Sequence, residues 1–194
     1  KRWRDYFRGT SAHNTVRIDG RDQSESGGNF LWLRKARARC LAWRDDVEGQ
    51  FWSASHDGYL CLKDAVLHRR DVRVAPGAAL IVVDDVLECE GAHAVELFWH
   101  VDPRCRVQLD GEVLRVAGDA FSLEMHLPSL PDASLQLVHG SDNPPLGWIS
   151  HRFDEKQASP TLVLRAQVQG TTALRTELRL SLATPDLSEN TRKT

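Results

Sequence analysis

Short runs of alternating apolar and polar residues, each closed by turn chemistry, dominate this chain. A period of two sends successive side chains to opposite faces of an extended strand, and it is incompatible with the 3.6-residue period of a helix. Residues 15–19 alternate around Val16 and Ile18 and end at Asp19-Gly20, a favoured hairpin pair. Residues 104–109 and 112–116 flank Asp110-Gly111, a second two-residue turn signal. Residues 66–74 alternate up to Pro76-Gly77, and residues 93–100 follow Glu90-Gly91. Residues 50–55 and 59–63 read as two strands on either side of a His56-Asp57-Gly58 turn. Residues 79–83 form a continuous apolar run, the pattern of a buried strand. About twelve strands result, at the ~8–12-residue spacing of a sandwich or barrel. The predicted fold is all-β, an antiparallel β-sandwich over residues 1–184, with a polar tail at 185–194.

The 194 residues suit one domain able to bury its own core. A net charge of −2 gives no general attraction to nucleic acid, and no apolar run approaches the ~20 residues of a membrane span. Four cysteines, Cys40, Cys61, Cys89 and Cys105, are spaced too widely for a zinc ribbon. Each lies in an apolar or alternating stretch and reads as a buried free thiol, with one or two disulfides as the alternative. The N-terminus lacks both an initiator Met and the apolar stretch of a signal peptide, so the chain reads as an internal or C-terminal fragment of a longer protein, or as a processed form.

Three clusters can carry chemistry. Ser11-Ala12-His13-Asn14-Thr15 precedes the first strand; a His-Asn pair there can bond a polar ligand, supply a metal ligand, or cap a turn. Ser55-His56-Asp57-Gly58-Tyr59 puts an imidazole beside a carboxylate, which orients the ring or binds a cation, or is an Asp-Gly turn with an incidental His. His93 and His100 are seven residues apart, so they point to opposite faces of one strand, with Trp99 in the core. Arg34, Lys35, Arg37 and Arg39 read as one solvated strand face, or as the lining of a groove for an acidic sugar.

The segment Tyr6-Phe7-Arg8-Gly9-Thr10-Ser11-Ala12-His13-Asn14-Thr15-Val16-Arg17-Ile18-Asp19-Gly20 resembles the opening of the heparinase II/III-like C-terminal domain. The likeness continues through His56-Asp57-Gly58-Tyr59, Val66-Leu67-His68-Arg69-Arg70, Val82-Val83-Asp84-Asp85 and Gly147-Trp148-Ile149-Ser150, in the family's order. The resemblance implies the C-terminal sandwich of a polysaccharide lyase whose N-terminal domain is a helical toroid. It implies uronic-acid substrates of the heparan sulfate or alginate type, cleaved by β-elimination, and a periplasmic or secreted location. By motif position it implies a catalytic role for His13, with Asn14, Arg8 and His56 contacting substrate. Some members hold a divalent metal, zinc or calcium, in the sandwich; His13, His56 and Asp57 are the residues of that type here. The opening motif has a single His where some members show His-x-His. The toroid's Tyr and Asn have no counterpart in this chain, so the fragment alone is expected to be inactive.

Two other readings stand beside this one. A carbohydrate-binding or structural sandwich would use exposed aromatics in a groove; Trp32, Trp43, Trp52 and Trp148 are candidates, although core packing is the expected fate of most. A self-contained metal enzyme would need three converging His or Asp ligands.

Overall fold

A computed structural model describes residues 2–28 and 30–182 of the chain. The polar tail at 185–194 lies outside the described residues. Twelve strands form two main antiparallel sheets. In chain order they are β1 (Val16–Ile18), β2 (Ala38–Asp46), β3 (Gly49–Tyr59), β4 (Val66–Val74), β5 (Leu80–Glu88), β6 (Ala92–His100), β7 (Arg106–Asp110), β8 (Val113–Ala117), β9 (Phe121–His126), β10 (Ser134–His139), β11 (Pro160–Gln169) and β12 (Thr172–Leu182). The smaller sheet runs β1-β6-β11-β10, and the larger runs β2-β3-β4-β5-β12-β9-β8-β7. Three two-stranded ribbons and a seven-residue helix, α1 (Arg2–Arg8), complete the described elements of note.

The main core lies between the sheets. Val16 and Ile18 of β1, Val95 and Leu97 of β6, and Leu162 and Leu164 of β11 meet Tyr59, Val66, Leu87 and Leu174 from the large sheet. Each such side chain contributes roughly 1.5–3 kcal/mol by leaving water. A second cluster covers the outer face of the small sheet, where Tyr6 of α1 packs with Phe98, Val163 and Leu146. Residues 160–164 are therefore buried on both faces, which explains the apolar run Leu162-Val163-Leu164 and the absence of alternation there.

Turn chemistry acts as the sequence implies at Asp19-Gly20. Both residues take positive φ, 50° and 65°, the requirement of a type I′ turn, and Arg21 N–H donates to Ile18 O at 2.9 Å. At the second hairpin Asp110 pairs with Val113, so the loop is Gly111-Glu112, one residue later than expected. The expected His56-Asp57-Gly58 turn is absent. β3 runs straight through it, with a bulge between His56, paired to His68, and Tyr59, paired to Val66.

The large sheet extends past the small one, and every residue of β2 is exposed at its edge. Three sequence expectations fail at this edge and in the segments around it. Cys40 and Cys61 are exposed rather than buried, although all four cysteines are free thiols. Trp43 and Trp52 are 66% and 36% exposed rather than packed in the core, and they face each other across β2 and β3. Trp99 does enter the core, as expected. Nor is Arg34 solvated: its guanidinium donates to the carbonyls of Asp22, Gln23 and Gly58, tying the 22–34 loop to the β3 bulge.

Candidate functional site

The segment before β1 builds a cleft at the open edge of the small sheet. A single 3-10 turn, Thr10–Ala12, is anchored by Thr10 N–H donating to Asp22 Oδ1 at 2.7 Å. His13 then leaves in extended conformation, φ −133° and ψ 156°. Asn14 clamps the segment at two points. Its Oδ1 accepts from His100 N–H at 2.7 Å, and its carbonyl accepts from Arg70 Nη1 at 2.6 Å. His13 is left exposed on the rim of a cleft of about 610 Å³ lined also by Phe7, Ala12, Asn14, His100, Trp148, Ile149 and Ser150.

His100 forms the floor. Its Nε2–H donates to Ser11 O at 3.1 Å, and the Thr161 hydroxyl lies 2.9 Å from Nδ1, the arrangement of a neutral ring. Burial lowers its pKa to about 4, and the nearby His13 pushes the same way. His100 and His93 do lie on opposite faces of β6, as their spacing predicts: His93 points to the side of Val95 and Leu97, and His100 to that of Phe98.

Behind the cleft runs a polar relay from the β3 bulge. Gly58 N–H donates to His56 Nδ1 at 3.1 Å, His56 Nε2 lies 2.9 Å from His68 Nδ1, and His68 Nε2 lies 2.7 Å from Asp85 Oδ1. Asp85 is fully buried and also takes two bonds from Arg70, which reaches on to Asn14. Burial opposes the charge of Asp85, but His68 and Arg70 outweigh it and hold its pKa below the usual carboxylate value. Burial, with His68 beside it, lowers His56 to about 4, so the ring is neutral.

His13 and Asn14 thus meet His100 in one cleft. Arg8 does not join them: it stacks on Trp32 at 4.0 Å, donates to Gly28 O at 2.6 Å, and lines a separate hollow with Asp22 and Arg34. His56 sits in the relay with both nitrogens engaged. Asp57 bonds the β2 approach, accepting from Arg37 N–H at 2.7 Å. His13, His56 and Asp57 therefore do not fit a metal as a set. The roles of His68, Arg70 and Asp85 were missed by sequence reasoning. The available signal was polarity at His68 and Arg70, positions whose alternating neighbours Val66 and Val72 face the core.

Among the described residues, the set of three His, Cys, Asp or Glu side chains whose ligand atoms all lie within 4.8 Å of one another is Asp64, Cys89 and His93. His93 Nδ1 lies 2.7 Å from Asp19 and Nε2 lies 2.8 Å from Asp64. Burial alone would lower the pKa of His93; the two carboxylates outweigh it and raise it. Tyr6 and Tyr59 are both buried, with their hydroxyls on the carbonyls of Trp148 and Val16.

Fold and cleft together define a β-sandwich domain that presents one exposed imidazole beside a sheet edge. The chain belongs to the heparinase II/III-like C-terminal family, whose model matches residues 1–177. Its fold is that of solved lyases. Heparan sulfate lyase HepC from Pedobacter heparinus superposes with a TM-score of 0.74 at 15% identity, covering 93% of this chain and 26% of that one. A heparinase III structure gives 0.72 at 14% identity, covering 95% and 26%. The chain thus spans about a quarter of the length of these solved relatives. No curated protein sequence matches it. No described helix is long and apolar enough to cross a membrane.

Proposed function

We propose that this domain forms one wall of the substrate cleft of a polysaccharide lyase that cleaves uronic-acid polymers, of heparan sulfate or alginate type, by β-elimination. The supporting observation is the presentation of His13. It is exposed on the cleft rim while Asn14 and the Arg70–Asp85 relay fix the backbone beneath it. The reaction removes the C5 proton next to a carboxylate, forms the C4–C5 double bond and expels the O4 substituent. It therefore needs neutralisation of the carboxylate, a base at C5 and an acid at O4. His13 supplies one of these polar groups from the sandwich side, and an N-terminal helical toroid of the parent chain supplies the others. The same reading has the parent act in the periplasm or outside the cell.

The test is His13→Ala in the full-length parent. Turnover falls at least ~100-fold, while the thermal midpoint is unchanged because the side chain is exposed. Near-normal turnover would remove His13 from the site. The facing, exposed Trp43 and Trp52 favour a second reading, a saccharide-binding module. In that case the isolated chain binds the polymer with or without His13, and Trp43→Ala abolishes the binding.

A further inference from the structure

The far end of β6 carries a cluster that the His13 cleft does not use. His93 lies seven residues before His100, roughly 23 Å away along an extended strand. Its side chain is 4% exposed and sits between two carboxylates delivered by separate loops, Asp19 from the type I′ turn and Asp64 from the β3–β4 connection. Cys89, a free half-buried thiol, completes the group from the β5–β6 connection. The thiol now donates to Gly170 O at 3.2 Å.

We propose that Asp64, Cys89 and His93 form a zinc(II) site, with Asp19 as the residue that positions His93. Four observations carry this. The three ligand atoms lie within 4.8 Å of one another, and those of a tetrahedral zinc stand ~3–4 Å apart, so closure takes about an ångström. Asp64 is already held in place, because Gly91 N–H donates to its Oδ2 at 2.6 Å. Only glycine permits that approach, since a Cβ at residue 91 would stand 2.7 Å from the same oxygen. Finally, Asp19 accepts from Nδ1 and leaves Nε2 as the ligating atom, the carboxylate–histidine–metal arrangement that orients zinc-bound imidazoles.

The donor set selects the metal. A thiolate and an imidazole suit zinc, whereas calcium takes six or more oxygens. Three protein ligands leave the fourth position to water. Binding replaces the S–H proton of Cys89 and the Nε2 proton shared between His93 and Asp64, so up to two protons pass to solvent per zinc.

The experiment uses the 194-residue chain carrying Cys40→Ser and Cys61→Ser, which removes the two exposed thiols. Cobalt(II), the spectroscopic stand-in, is titrated first and zinc(II) then displaces it. One cobalt per chain is expected, with thiolate-to-cobalt charge-transfer absorption in the near ultraviolet that one equivalent of zinc bleaches. Cys89→Ser abolishes that absorption with the far-ultraviolet circular dichroism unchanged. Asp19→Asn preserves the shape of the band but weakens zinc binding ~10–100-fold. Absorption that is missing, or that survives Cys89→Ser and so belongs to Cys105, overturns the site. Proton release on zinc addition needs no variant, and a count of zero overturns the site as well.

Discussion

Asp85 is the residue on which the polar interior depends. It has no exposed surface and accepts from His68 and twice from Arg70. Arg70 in turn holds Asn14 O, so the charge of one buried carboxylate reaches the His13 segment through a single side chain. Truncating a buried charge partner leaves the other uncompensated, at a cost of about 3–5 kcal/mol. Asp85→Ala should lower the unfolding free energy by that amount in urea titration. A loss under ~1 kcal/mol would mean that Arg70 simply turns to solvent. None of this was visible in the sequence. His68, Arg70 and Asp85 are recognisable as residues, but which carboxylate meets which cation depends on the register of β4 against β5, a non-local fact. His13 and Asn14 were legible because they are consecutive and their motif is local. Arg8 and His56 share that local legibility, yet neither lines the His13 cleft, because Arg8 turns to Trp32 and His56 turns inward to His68.

At the scale of elements, period-two alternation located the strands because each sheet has a core face that enforces it. Loop chemistry was less specific. Asp19-Gly20 makes the expected hairpin, whereas Asp57-Gly58, with the same residue types, makes a bulge inside β3. Asp and Gly suit both, and tertiary contact decides: Gly58 is pressed against the 22–34 loop, where Arg34 staples three carbonyls. A Cβ at residue 58 would stand 2.7 Å from Gln23 O and 2.9 Å from His56 Nδ1. Gly58→Ala should therefore cost about 1–3 kcal/mol, the range for overpacking a closed site. It should also shift the imidazole signals of His56 and His68, which share a hydrogen bond. Unchanged stability would show that the 22–34 loop yields freely.

On the shared-site reading proposed above, the domain folds around its own core yet presents an incomplete set of reacting groups. Of the residues lining the His13 cleft, two are histidines, and His100 is neutral with both nitrogens engaged. The rest are Phe7, Ala12, Asn14, Trp148, Ile149 and Ser150, none of which titrates near neutral pH. A β-elimination asks for three functions at one sugar, and His13 can perform one. The 194-residue chain by itself should therefore produce no unsaturated uronate above the buffer background. The double bond formed at C4–C5 absorbs in the ultraviolet, so incubation with heparan sulfate and with alginate gives a direct readout for each. Adding the parent's N-terminal domain in trans should restore product, and His13→Ala in the sandwich should abolish that restoration. Product from the isolated chain would instead require a base and an acid within this sandwich, and would overturn the shared-site reading.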